Sequence, residues 1–283
     1  MYPDRRRPYR ALGAAAAAAT FLLAAAQASN SPASAETDTA AGPRAADVTL
    51  PPAHAGFDYQ IGGPYPPPDG VEVVSRDHSV QPAEGLYNIC YVNAFQTQPG
   101  AAGSWDSDLL LRDRSGEVVY DGEWDGEALL DIRTEDKRER IAAKVNTWID
   151  SCAAKGFQAV EPDNFDSYDR SEGLLTADQA QDMIRRLADH AHSKGLAIGQ
   201  KNAAELADSR KANGLDFAVA EQCGEWNECD TYTEAFGDKV VVIEYTRDGM
   251  ATACKGWGDQ LSIVRRDRNV VTPADDAYVR ETC

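Results

Sequence analysis

Acids and a lysine punctuate the short apolar runs of this sequence. Phe157-Gln158-Ala159-Val160 leads into Glu161-Pro162-Asp163-Asn164, and Phe217-Ala218-Val219-Ala220 leads into Glu221. Val240-Val241-Val242-Ile243 leads into Glu244-Tyr245, and Leu196-Ala197-Ile198-Gly199 into Gln200-Lys201-Asn202. A buried strand has no use for a carboxylate at its end unless that end opens on something. In a parallel barrel the C-terminal strand ends form one face, and catalysis sits there. Two carboxylates facing each other across such a mouth are the tools of glycoside hydrolysis.

Asp163 and Glu221 are the leading pair. Pro162 has no N–H for a ladder, so the strand is predicted to stop at Glu161 and Asp163 to begin the loop at the mouth, as a nucleophile. Glu161, two residues away, competes for that role. Asp163, Asp166 and Asp169 lack calcium-loop spacing. Glu221 is the second carboxylate, with Cys223 and Cys229 bracketing the loop beyond it; its bland reading is an acid at a helix N-terminus. Lys201 beside two carboxylates would lower their pKa, where an ordinary surface lysine would not. Glu244 with Tyr245, and Asp58 with Tyr59 and Gln60, are candidates to bind sugar hydroxyls or an amine. Tyr91, Trp105, Trp124 and Trp226 are candidate ring platforms, although any one aromatic is more often core. His54, His78, His190 and His192 are not placed for a serine triad, and no G-x-S-x-G elbow exists.

The elements that must carry these groups alternate. Strands are predicted at 57–61, 71–75, 86–93, 157–161, 196–202, 216–221, 240–245 and 260–264. Helices are predicted at 136–155, 176–194, 203–212, 228–236 and 248–256. Ile141, Val145, Trp148, Ile149 and Cys152 give the first helix its stripe. Thr176 with Gln179 forms a capping box for the second. Residues 100–131 are less regular and read as a long active-site loop. Eight strands alternating with helices predict a single (β/α)8 TIM barrel. A doubly wound open sheet is the alternative, without the glycine-rich phosphate motifs that accompany it.

Arg5, Arg6, Arg7 and Arg10 followed by the apolar stretch 11–28 read as a secretory signal peptide over residues 1–28. Residues 29–52, rich in Ala, Ser, Thr and Pro, read as a disordered linker, leaving 53–283 as the folded domain. The net charge of −18 argues against nucleic acid and anionic membranes as partners and would attract a cationic substrate. Six cysteines (Cys90, Cys152, Cys223, Cys229, Cys254 and Cys283) in an exported chain suggest three disulfides. Of the 15 possible connectivities, the expected one is Cys90–Cys152, Cys223–Cys229 and Cys254–Cys283. No C-x-x-C pair exists, so no metal site is expected.

The blocks Phe57-Asp58-Tyr59-Gln60-Ile61-Gly62-Gly63, Ile89-Cys90-Tyr91-Val92, Gly156 to Asn164, Lys201-Asn202-Ala203, Glu221-Gln222-Cys223 with Cys229, and Ile243-Glu244-Tyr245 stand in a specific order. In that order the chain resembles glycoside hydrolase family 114, the endo-α-1,4-polygalactosaminidases, from about Gly56 to Cys283. The resemblance implies a (β/α)8 barrel and a secreted, retaining enzyme acting on α-1,4-linked galactosamine polymer, a cationic polysaccharide. It implies Asp163 as nucleophile and Glu221 as acid/base. Asp58, Tyr91, Glu161, Lys201, Asn202, Glu244 and Tyr245 would then be substrate-binding. No cofactor is required by that mechanism; a monomer is expected, with no membrane association once the signal is cleaved. Phe57 and Tyr59, where many members carry a Trp, and Gly63-Pro64-Tyr65-Pro66-Pro67-Pro68 depart from the family pattern. A carbohydrate-binding barrel without turnover, and a glycosidase for another α-linked glycan, remain as alternatives.

Overall fold

The structure is a computed structural model and describes residues 48–283. The expected signal segment and most of the expected linker lie outside the described residues. Packing begins before the expected boundary at 53: Val48 lies against the inner core, Pro51 is buried, and the Thr49 carbonyl accepts from the Tyr87 hydroxyl at 2.7 Å.

Eight parallel strands follow one another in sheet order: β1 (Phe57–Gln60), β2 (Val73–Asp77), β3 (Tyr87–Asn93), β4 (Ala159–Asp163), β5 (Ala197–Lys201), β6 (Phe217–Glu221), β7 (Val240–Glu244) and β8 (Ser262–Arg266). β1 packs against β8, which brings the sheet round into a (β/α)8-type barrel. A ninth strand, β9 (Arg280–Thr282), runs antiparallel to β8; its Arg-Glu-Thr sequence has no apolar alternation to announce it. The helices are α1 (Glu135–Lys155), α2 (Ala177–Ser193), α3 (Cys223–Trp226), α4 (Cys229–Phe236) and α5 (Arg247–Trp257). The β1–β2 and β2–β3 connections carry no helix, so the predicted alternation begins only after β3.

Local chemistry explains the boundaries. The Thr176 capping box opens α2 as predicted, Thr134 caps α1, and left-handed Gly156 (φ 91°) ends it. The helix expected over 203–212 is reduced to a 3-10 turn, Ala204–Ser209, because Asn202 and Ala203 both have positive φ and delay its start. β4 runs through Pro162 to Asp163, where the sequence predicted a stop at Glu161. The ladder to β5 registers at Ala159↔Ala197 and Val160↔Ile198, while the ladder to β3 continues to Asn93↔Asp163. Pro162 therefore sits where the strand has one registered neighbour, a position that tolerates a missing N–H.

Strand alternation divides the core in two. Phe57, Tyr59, Val73, Ile89, Ala159, Ala197, Phe217, Val219, Val241, Ile243 and Val264 fill the barrel. Cys90, Val92, Val160, Ile198, Val240 and Val242 face outward with Ile141, Val145, Met183, Ile184 and Leu187 of the helices. Gly199 is required inside, because a Cβ there would lie 2.8 Å from the Phe217 ring. The segment between β3 and α1 is an excursion with antiparallel bridges Gln96↔Leu129, Leu110↔Leu130, Arg112↔Val118 and Tyr120↔Ala128.

The three expected disulfides are present, Cys90–Cys152, Cys223–Cys229 and Cys254–Cys283. They close sequence separations of 62, 6 and 29 residues. From loop length alone, Cys90→Ala with Cys152→Ala is expected to cost about 4 kcal/mol, and Cys223→Ala with Cys229→Ala about 2 kcal/mol. Urea denaturation of the two double variants checks that ranking.

Candidate active site

Inward-facing residues at the C-terminal ends of six strands meet around one ammonium group. Lys201 Nζ, at the end of β5, donates to the Tyr59 hydroxyl at 2.9 Å and to Glu161 Oε1 at 3.1 Å. It lies 3.2 Å from Asp163 Oδ1 and 3.5 Å from Glu221 Oε2. The Tyr59 hydroxyl donates to Glu161 Oε1 at 2.8 Å and the Ser75 hydroxyl to Glu161 Oε2 at 2.6 Å. The Tyr91 hydroxyl donates to Asp163 Oδ2 at 2.7 Å, and the Asn164 N–H donates to Asp163 Oδ1 at 2.8 Å. Glu221 accepts from Asn202 Nδ2 at 3.0 Å and from the Tyr245 hydroxyl, while its own N–H donates to Asn202 Oδ1.

The chain turns sharply after each functional strand end. Asn164, Asn202 and Gln222 have φ of 63°, 51° and 60°. Asn tolerates this region better than most residues. Each turn stops its strand on the functional side chain and folds the next residue back. That is how Asn202, just past β5, reaches Glu221.

Exposure separates the three acids. The Glu161 side chain is 0% exposed, whereas those of Asp163 and Glu221 are 17% and 21% exposed. Glu161 is thus a buried brace for Lys201, and the two acids open to the mouth are Asp163 and Glu221. Burial alone would raise Asp163, but the Lys201 charge, the Tyr91 hydroxyl and the Asn164 N–H together hold it below the usual carboxylate range. Burial raises Glu161, against the opposing charge of Lys201 and the Ser75 hydroxyl. For Lys201 burial works against the charge, and the surrounding Asp163, Glu221 and Glu161 overcome it, so the ammonium persists well above its ordinary range. Burial and nearby carboxylates also raise Tyr59, Tyr91 and Tyr245, which stay neutral and donate.

The site therefore brings together Asp163, Glu221, Glu161, Lys201, Asn202, Tyr91 and Tyr245 of the predicted residues. It does not bring Asp58 or Glu244. Both sit one residue out of phase with their inward neighbours Tyr59 and Tyr245, and alternation sends them to the other side of the sheet. Asp58 is fully buried, accepts from Gln60 Nε2 at 2.9 Å and the Tyr65 hydroxyl at 3.0 Å, and lies 3.3 Å from Arg280 Nε and 3.7 Å from Arg266 Nη1. It ties the Pro-rich loop and β9 to the closing seam. Glu244 is fully buried and accepts from the Gly224 N–H at 2.7 Å. A Cβ on Gly249 would lie 2.2 Å from Glu244 Oε2, and one on Gly224 would lie 2.5 Å from the Gly249 carbonyl oxygen. Glu244 and these two glycines lock α3 against α5. Of the candidate platforms, Trp105 is buried and packs edge-on to Trp148. Trp124 and Trp226 are exposed, with the Arg268 guanidinium 5.0 Å from the Trp124 ring centre.

Several contributors escape a sequence reading. Ser75 could have been found, since it ends an apolar run in phase with the inner face. Glu127, buried on the excursion, accepts from Asn93 Nδ2 at 3.1 Å and carries no strand-end signature. Arg170 joins Asp121 Oδ2 at 2.7 Å to Asp166 Oδ1 at 2.9 Å, pinning the excursion to the loop after β4.

The chain matches the family model described as glycoside-hydrolase family GH114 over residues 37–283. Among solved structures it is similar to Aspergillus fumigatus Ega3 in complex with galactosamine, with 24% identity, a TM-score of 0.67, and 84% of this chain and 100% of that one covered. It is also similar to the glycoside hydrolase domain of PelA from Pseudomonas aeruginosa, with 15% identity, a TM-score of 0.52, and 81% and 98% covered. At these identities the two structures corroborate the fold. A comparison with curated proteins returns no match.

Glu244 and Glu127 give the fold a pH signature. Burial pushes each up to about 7, above an unfolded value of about 4.3. Between those values the folded chain holds protons that the unfolded chain has lost, so stability falls as pH rises through this window. His192, raised by Asp216, acts in the same direction, and His78, lowered by burial, opposes. The thermal midpoint is expected to be higher at about pH 5.5 than at about pH 8. Glu244→Gln is expected to narrow that difference, as followed by circular dichroism.

Proposed function

The chain belongs to glycoside hydrolase family GH114 and is a glycoside hydrolase; from that premise we propose that it is a secreted, retaining endo-glycosidase cutting α-1,4-linked galactosamine polymer. The observation that carries the reading is the convergence of Asp163 and Glu221 on Lys201 Nζ. The two oxygens sharing that nitrogen are at most about 7 Å apart, the sum of their spans to it. That bound admits the roughly 5–5.5 Å of a retaining pair and lies below most of the roughly 6.5–9.5 Å range of inverting pairs.

In the proposed mechanism Glu221 protonates the leaving glycosidic oxygen while Asp163 attacks the anomeric carbon. Asp163 is suited to attack because its surroundings keep it ionised. Asn202 and Tyr245 orient Glu221, and Lys201 balances the negative charge that passes between the two acids. Water then releases the sugar from Asp163, with Glu221 as base. These two side chains supply the whole reaction, so no cofactor enters it.

The substrate reading draws on three supports. Ega3 was solved with galactosamine. The chain carries a net charge of −18, which favours a polycation. Acids outnumber cations around Lys201. The N-terminal segment and three disulfides support export, with residues 48–283 acting as a monomeric catalytic domain.

Asp163→Asn and Glu221→Gln are each expected to lower kcat on de-N-acetylated α-1,4-galactosamine polymer by about 10³-fold. Proton NMR should find the α-anomer as first product; a β-anomer would overturn retention, and unchanged rates would overturn the residue assignment. Lys201→Met is expected to move the acid limb of the kcat/KM profile to higher pH, because Asp163 loses the charge that depresses it. Added salt is expected to slow cleavage of the cationic polymer by screening.

A further inference from the structure

Most buried acids in the described residues have a cation. Asp58 has Arg266 and Arg280, Asp121 has Arg170, and Asp131 has Arg133 and Lys137. Glu161 shares Lys201 with the two catalytic acids. Glu244 lacks one but is sealed onto the Gly224 N–H. Glu127 stands apart: among the described residues no ion pair reaches it, and though buried, at 8% exposure it is not fully sealed as Glu244 is at 0%.

Its position is tied to the nucleophile. Glu127 Oε2 accepts from Asn93 Nδ2 at 3.1 Å. Asn93 pairs in register with Asp163, and Asn93 Oδ1 accepts from Asn164 Nδ2 at 2.9 Å. Asn164 in turn donates its N–H to Asp163. The chain Glu127–Asn93–Asn164–Asp163 places an acid without an ion pair two hydrogen-bonded side chains from Asp163, on its β3 side. Burial lifts its pKa; the Asn93 bond opposes, Asp163 and Asp121 add to the rise, and Arg170 opposes. Arg170 is already held by Asp121 and Asp166. A ligand cation arriving here would compensate Glu127 for its burial and offset the repulsion of its two anionic neighbours.

We propose that Glu127 receives the ammonium group of an amino sugar seated beside Asp163, and so selects free-amine over N-acetylated units. This rests on the galactosamine reading and names the residue that would confer it. An acetamide offers no charge to Glu127 and adds bulk against the buried Asn93. The Gln variant keeps the shape and an oxygen for Asn93 but removes the charge.

The test uses the full chain made inert by Glu221→Gln, with and without Glu127→Gln, and isothermal titration with two probes. The probes are an α-1,4-galactosamine tetramer with free amines and the same tetramer N-acetylated. Glu127→Gln is expected to weaken the amine tetramer by about 10- to 100-fold, the range of one charged hydrogen bond. The N-acetylated tetramer should bind as before, which also certifies the fold of the variant. Equal loss for both probes, no loss for the amine probe, or no amine binding to the parent would overturn the inference. Selective loss together with a wild-type enzyme that cleaves neither polymer would leave Glu127 as an amine site and overturn only the proposed reaction.

Discussion

One ammonium ion in a dry barrel end organises this molecule. Lys201 is almost wholly buried, and burying a cation is costly unless partners surround it. Glu161 and Asp163 of β4 and Glu221 of β6 supply those partners. The arrangement works only while β4, β5 and β6 end at matched heights, so the registers between strands fix the chemistry. Tyr59 and Ser75 complete the setting by satisfying Glu161 from β1 and β2. The geometry of the acid cluster and barrel closure are thus one constraint seen from two ends.

Division of labour among the acids follows from depth. Glu161 lies below the mouth and spends both oxygens on neighbours, so it cannot reach a substrate. Asp163 and Glu221 lie higher and keep solvent contact. Both face the Lys201 ammonium, but their other partners differ: Asp163 accepts from a phenol and a backbone N–H, Glu221 from a side-chain amide and a phenol. On the far side, Cys223–Cys229, Glu244 and the Gly224–Gly249 contact hold the segment after Glu221. That segment can present Trp226 without a hinge.

Much of this was legible in the sequence because strand ends carry a recognisable mark. Apolar runs ending in Glu-Pro-Asp, Glu221 and Lys201 announced a barrel mouth, and cysteine positions announced the pairs later found. The misassigned residues share one cause. Asp58 and Glu244 were placed in the mouth by proximity along the chain, and the two-residue period decides otherwise: Tyr59 and Tyr245 turn inward and their neighbours turn out. Pro162 misled in the opposite sense, since a proline at the upper end of a strand with one registered neighbour breaks nothing. Glu127 was beyond reach, because its place is set by irregular bridges and by long-range contacts such as Asn93, which no periodicity encodes.

The left-handed turns at Asn164, Asn202 and Gln222 carry an evolutionary corollary. Each ends a strand on a side chain of the site, Asp163, Lys201 or Glu221, and folds the chain back beyond it. Insertions beyond those hinge points would lengthen or recolour the rim while leaving the strand ends that hold Asp163, Lys201 and Glu221 in register. A one-residue insertion below them would turn the strand-end side chain out of the lumen. The loops at this rim therefore have a freedom of length that the strands beneath them lack.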